Sequence, residues 1–226
     1  MTLFHSDGEV VADAVDSLIV AGWTGRDTAG VEHHVRELAA IGVAPPSTIP
    51  LFYRVSAALL GTHGTIEVVG TESSGEVEPL IVRAGGRLWL GVASDHTDRA
   101  LEAHSVALSK QICAKPCAAD LWPLDDVAAR LDTLELRAWI ADDIAAADWT
   151  LYQEGSLAAI RPLAELIEAS PLGTADDAGR SAMLCGTLGA IGGVRPAGAC
   201  RIELLDPRDG RSIRHEYAVV SLPEIR

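Results

Sequence analysis

Apolar residues run almost unbroken through Leu18-Ile19-Val20-Ala21-Gly22-Trp23, which predicts a short strand ending at the turn Thr24-Gly25-Arg26-Asp27. The spacing then changes. Val31, Val35, Leu38 and Ala39 recur at helical intervals, so a helix is expected over about 29–41, with Gly42 as its stop and Pro45-Pro46 forbidding continuation. Most of the remaining chain reads as strands, at 65–70, 76–83, 87–93, 134–140 and 150–153, with a C-terminal set at 200–205 and 212–220. Gly85-Gly86 between two of them signals a hairpin. Helices are expected over 98–111 and 163–169. Strands dominate and arrive in hairpin-like succession, so the fold class is α+β, mostly β, with a mixed or largely antiparallel sheet. Neither repeats nor a Pro/Gly/Ser-rich linker divide the chain, and 1–226 is read as one domain.

Composition narrows the function. The 226 residues include 18 Lys and Arg against 32 Asp and Glu, a formal charge of −14 that disfavours nucleic acid and anionic lipid as partners. Hydrophobic residues make up 48% and charged ones 22%, an ordinary globular balance that excludes disorder. The N-terminus shows no basic segment followed by an apolar one, and no apolar run approaches a membrane span, so a cytoplasmic protein is expected. Four cysteines are too few for a disulfide framework, and Cys113 and Cys117 lack a second pair at zinc-like spacing.

The chemistry-bearing residues are acidic. Glu76 and Glu78, two apart on an expected strand, share a face, and Asp95 follows just past the end of the next strand. Three carboxylates without a soft ligand suit a hard divalent ion, Mg²⁺ or Mn²⁺. The competing reading is a solvated acidic face. His34 and Glu37 stand at i, i+3 on the expected helix, where the carboxylate can orient the imidazole; an ordinary surface pair is the alternative. Arg99, Glu102 and Lys110 follow Asp95, and a cation there could stabilise an enolate or hold a substrate carboxylate. The glycine-rich segment Gly186-Thr187-Leu188-Gly189 matches neither a P-loop nor a dinucleotide fingerprint and is read as a turn that admits close backbone approach.

In this order these features resemble the fumarylacetoacetate hydrolase family. Gly25-Arg26-Asp27 with His34 and Glu37 is similar to its Gly-Arg-Asn … His-x-x-Glu segment, and Pro50-Leu51-Phe52-Tyr53-Arg54 to its Pro-x-Phe-x-Lys strand. Glu76-Val77-Glu78 matches the family's Glu-x-Glu, and Ser94-Asp95-His96-Thr97-Asp98-Arg99 resembles the segment that carries the third metal ligand. Ser109-Lys110, Tyr152-Gln153-Glu154-Gly155 and Cys185-Gly186-Thr187 resemble its lysine segment, its Arg-Gln-Asp-Gly turn and its Gly-Thr-Pro turn. Arg54 replaces a lysine, Glu102 a glutamine and Leu188 a proline, and Lys115 competes with Lys110 for the lysine role.

The resemblance implies a mixed β-sandwich or roll, a homodimer, and a Mg²⁺ or Mn²⁺ site at Glu76, Glu78 and Asp95. It implies a catalytic dyad of His34 and Glu37, oxyanion stabilisation by Lys110, and substrate contacts from Arg99, Glu102, Gly186 and Thr187. The expected substrate is a small 2-oxo or β-diketo acid. The expected reaction is hydrolysis of a C–C bond in an acylpyruvate-like compound, with decarboxylation or hydration of a 2-oxo acid, or ligand binding without catalysis, as alternatives.

Overall fold

The structure, a computed structural model, describes residues 4–40, 45–146, 148–174 and 179–225, without the side chains of 34, 37–40 and 173–174. Two sheets dominate. The first has six strands in the order Trp122–Pro123, Arg87–Ser94, Val77–Ala84, Ser181–Leu184, Ser17–Gly22 and Leu51–Val55. Only the pair Ser181–Leu184 with Ser17–Gly22 is parallel. The second runs Thr150–Ser156, Glu135–Ala141, Ala199–Asp206, Arg211–Leu222 and Thr65–Val69, antiparallel except for its last pair.

Apolar patterning explains how the sheets lie. In Ser17–Gly22 successive side chains alternate between two cores. Ile19 and Ala21 join the cluster shared with Ile66, Ile202 and Leu204 of the second sheet, whereas Leu18 and Val20 join Phe4, Ala12 and Leu60 on the opposite face. A strand covered on both faces must be continuously apolar, as this one is. The second sheet is covered on one face only: Ile66 and Val68 are buried, while Thr65, Glu67 and Val69 between them are exposed. Its outer face carries the cross-strand ion pairs Arg137–Glu154, Arg201–Glu216 and Arg214–Glu203.

Several expectations need correction. The helix expected over 98–111 is two short ones, Arg99–Glu102 and Val106–Gln111. Asp98 accepts the Leu101 N–H at 2.8 Å and Ser105 the Leu108 N–H at 3.3 Å, so each piece has its own cap and the chain turns between them. Residues 152–155 form no turn; they continue the strand Thr150–Ser156, with a register shift opposite Ala138 and Trp139. The expected strand at 76–83 begins one residue later, leaving Glu76 just outside it. The strand Ser181–Leu184 and the hairpin Phe4–Ser6 with Glu9–Ala12 were not anticipated. The helix at Thr28–Ala40 matches expectation; its expected end at Ile41 and Gly42 lies outside the described residues.

All four cysteines are buried and free. No helix among the described residues is long and apolar enough to cross a membrane.

Ile81 is fully buried in the core shared by both sheets, so Ile81→Ala should cost ~2–5 kcal/mol in urea unfolding. Glu67→Ala, on the exposed face of the second sheet, should stay within ~0.5 kcal/mol. Equal losses would contradict this assignment of faces.

Candidate active site

The hairpin of Val77–Ala84 and Arg87–Ser94 delivers the acidic residues. Val77 pairs with Ser94 across it, so Glu76 and Asp95 emerge together at its open end, joined by the Asp95 N–H donating to the Glu76 carbonyl at 2.9 Å. Glu78 reaches the same point from within the strand. One carboxylate oxygen of each of Glu76, Glu78 and Asp95 lies within 4.8 Å of the others. Asp95 is 0% and Glu78 2% exposed, so solvent cannot screen the repulsion among them.

Cations meet this charge unevenly. Lys110 Nζ donates to Asp95 Oδ2. Lys115 Nζ lies 3.0 Å from Oδ1 and donates to the His96 carbonyl at 2.6 Å. Arg99 ion-pairs with Glu76 at 3.1 Å and Glu102 at 2.8 Å, and its Nε donates to Ser74 Oγ at 2.7 Å. Among the described residues Glu78 makes no ion pair; its Oε2 accepts the Gly186 N–H at 2.7 Å. Burial pushes Glu76 and Glu78 above the ordinary carboxylate range, and the Asp95 charge adds to the rise at Glu78. Burial opposes ionisation of Asp95 too, but Lys110 and Lys115 outweigh it and hold that carboxyl below its usual range. Against its own burial, Lys110 is held firmly protonated by Asp95, Glu76 and Glu78.

Two buried carboxylates that resist ionisation beside a third are the arrangement that a cation relieves. The donor set is all oxygen and is buried at Glu78 and Asp95. These residues fit a hard divalent ion such as Mg²⁺ or Mn²⁺.

Above the carboxylates opens a cavity of about 890 Å³, whose walls include Glu76, Glu78, Arg99, Glu102, Lys110, Gly186 and Thr187. Lys110 faces this space, whereas Lys115 is 0% exposed and braces Asp95 from outside the lining. Gly186 has φ +104°, and a Cβ there would sit 1.6 Å from Thr24 Oγ1, so only glycine lets the turn close on Glu78. The Thr187 hydroxyl is committed, donating to the Val77 carbonyl at 2.8 Å and accepting from Gln153 Nε2 at 2.9 Å. Arg54 is not in the lining; its guanidinium donates to the Leu18 and Val55 carbonyls. His34 and Glu37 fall in the helix Thr28–Ala40, whose Gly30 and Val31 line the cavity; their side chains lie outside the described residues.

Two supports were missed from the sequence. Gln153, 1% exposed and on the second sheet, accepts the Val77 N–H at 2.9 Å and donates to Thr187 Oγ1 and, at 2.6 Å, to the Leu188 carbonyl. One amide thus ties the Glu-x-Glu strand to the 186–188 turn. Behind Asp95, Tyr217 bonds Ser94 Oγ at 2.8 Å and His96 Nδ1 at 3.1 Å, Ser73 Oγ meets His96 Nε2 at 3.0 Å, and Ser94 Oγ accepts the Glu76 N–H. Burial, then Lys115 and Arg99, push His96 down to about 3, so it is a neutral strut. The motifs that contain Gln153, Ser94 and His96 do not reveal these contacts, because the partners are distant in sequence.

The model of a family described as "protein of unknown function (DUF2848)" matches residues 21–217. No curated protein matches the chain by sequence. Among solved structures, a fumarylacetoacetate hydrolase family protein assigned in Yersinia pestis CO92 is similar at TM-score 0.64 and 15% identity, over 97% of this chain and 100% of that one. A candidate fumarylpyruvate hydrolase from Burkholderia cenocepacia gives 0.63 and 18%, over 98% and 92%. A 2-keto-3-deoxyarabinonate dehydratase gives 0.63 and 13%, over 93% and 75%. The fold is therefore the mostly-β fold of fumarylacetoacetate hydrolase-type domains.

Two measurements probe the site without substrate. Gln153→Leu keeps the volume but strands the Val77 N–H and the Leu188 carbonyl, and urea unfolding should show a loss of ~1–3 kcal/mol per stranded group; a neutral result would remove the amide from the frame. Because the folded pKa of Glu78 is raised, its contribution to stability is full below about pH 4 and is lost as pH rises through the folded pKa. In EDTA, the stability of the wild type relative to Glu78→Gln should therefore fall as pH rises from about 4. A flat difference would mean that Glu78 is not strained by its surroundings.

Proposed function

Because this chain belongs to the family described as protein of unknown function (DUF2848) and carries the fumarylacetoacetate hydrolase fold, we propose that it is a divalent-metal-dependent enzyme that hydrolyses a C–C bond in a small acylpyruvate-like or β-diketo acid. The carrying observation is the carboxylate cluster of Glu76, Glu78 and Asp95, opening with Lys110 onto a cavity. Glu76, Glu78 and Asp95 would hold Mg²⁺ or Mn²⁺, which supplies positive charge for the carboxylate and keto oxygens of a 2-oxo acid.

The remaining steps fall to the chain. His34, oriented by Glu37, takes a proton from water as the water oxygen adds to the distal carbonyl carbon of the substrate. The C–C bond then breaks, its electron pair passing to the pyruvate-like fragment as an enolate. Lys110, held protonated at the cavity wall, places its charge beside the developing oxyanion. Protonation of the enolate carbon by the imidazolium releases the 2-oxo acid, and the distal fragment leaves as a carboxylate. Arg99 fixes Glu76 and Glu102, and the Gly186 N–H fixes Glu78. The Thr187 backbone contacts the substrate carboxylate. Decarboxylation or hydration of a related acid needs the same enolate and is the second reading, favoured by the fold shared with the dehydratase.

Thermal unfolding with ~1 mM Mn²⁺ or Mg²⁺ tests the metal: ion at a hundredfold its Kd adds ~2.7 kcal/mol. The shift should vanish in Glu78→Gln, and its absence from the wild type would remove the ion. In a screen of 2-oxo and β-diketo acids, His34→Ala should lower turnover by ~10²–10⁴ while keeping the Mn²⁺ shift. Undiminished turnover would take His34 out of the reaction.

A further inference from the structure

The cavity has two chemically different ends. Its only basic side chains among the described residues are Arg99 and Lys110, and both are engaged by the carboxylate cluster. A second hollow of about 330 Å³ shares Trp23, Tyr53, Glu102, Ala103 and Val106 with the first, so the two meet along that wall. None of Glu76, Glu78, Arg99, Lys110 or Gly186 borders it. Its further walls mix the apolar Pro45, Pro46, Leu51 and Ala107 with the polar Ser47, His104 and Ser105, so the apolar surface lies in the first cavity. Away from the ion-binding carboxylates the first cavity is walled by Trp23, Tyr53, Val31, Val106 and Leu188, and Glu102 places a negative charge on the wall shared with the second hollow.

The geometry points to a substrate with one anionic 2-oxo acid head and an uncharged apolar or aryl tail, the tail lying in the first cavity against Trp23 and Tyr53. This inference rests on the 2-oxo acid reading and adds to it the class of tail. In the first cavity a second carboxylate on the tail would leave water with the described cations, Arg99 and Lys110, already engaged, and would approach Glu102, which costs affinity. An aryl tail would exchange water for aromatic and aliphatic surface. The volume of the first cavity, about 890 Å³, is in the range that encloses molecules much larger than a bare pyruvate.

Calorimetric titration of the Mn²⁺-loaded full chain with three acids separates the possibilities: pyruvate, which has no tail; 4-phenyl-2-oxobutanoate, with an aryl tail; and 2-oxoadipate, with a carboxylate tail. The phenyl acid should bind at least ~10-fold tighter than pyruvate, as burial of a ring requires, and 2-oxoadipate no tighter than pyruvate. Trp23→Ala should shrink the phenyl-to-pyruvate ratio at least ~5-fold, and the milder Val106→Ala should shrink it in the same direction. Tighter binding of 2-oxoadipate than of the phenyl acid, or a phenyl acid no better than pyruvate, would overturn the tail assignment and leave the 2-oxo acid reading standing. If none of the three binds, pyruvate included, both fall.

Discussion

The site is organised around Asp95, a fully buried carboxylate clasped by two lysines. Removing both lysines would leave an uncompensated charge in the interior, of the kind that costs ~3–5 kcal/mol. With Asp95 ionised in that way, its negative field falls on Glu78 a few ångströms away, which accepts a backbone N–H and shares Lys110 with Asp95. The pocket is thus saturated with positive charge at one carboxylate and starved of it at another. Lys110 serves both ends of this imbalance: it holds Asp95, and of the two lysines it is the one that lines the cavity. The affinity of the cluster for a further cation arises from this uneven distribution rather than from the number of acids alone.

Holding like charges at short range requires a frame that does not yield, and the two sheets share that work. The first sheet supplies the carboxylates from one hairpin, so hydrogen bonds between its strands set the spacing of Asp95 against Glu76. The second sheet carries no ligand but clamps the hairpin end, through Gln153 on one side and Tyr217 on the other. The buried amide and phenol have their hydrogen bonds satisfied, which is the condition under which polar groups stiffen a core.

How much of this was legible depended on the range of the interactions involved. The Glu-x-Glu pattern, Asp95 past a strand end and Lys110 on a helix could be read because each is a local placement of a strongly charged group. The α+β assignment and most strands followed from alternation and glycine turns. Ser181–Leu184 escaped because a four-residue strand buried at the centre of a sheet has neither alternation nor a turn signal of its own; its partners at Val77–Ala84 and Ser17–Gly22 are far away in sequence. Gln153 and Tyr217 escaped for the same reason. The Phe4–Ser6 hairpin was a different case, since Asp7-Gly8, with φ of 48° and 82°, is a turn signal in plain view. Between 98 and 111 the apolar spacing continued through Ser105, and the competing cap won locally.

The buried, unpaired cysteines bear on how the molecule meets its surroundings. Burial pushes the thiols of Cys113, Cys117, Cys185 and Cys200 upward, Cys200 to about 11. Peroxides and alkylating reagents attack thiolates that they can reach, and here the anion is suppressed as well as covered. The fold is accordingly indifferent to the redox poise of its compartment. A single cysteine introduced on the outer face of the second sheet would be the one fast-reacting thiol in the folded chain, a handle for a fluorophore or spin label that requires no removal of native sulfur.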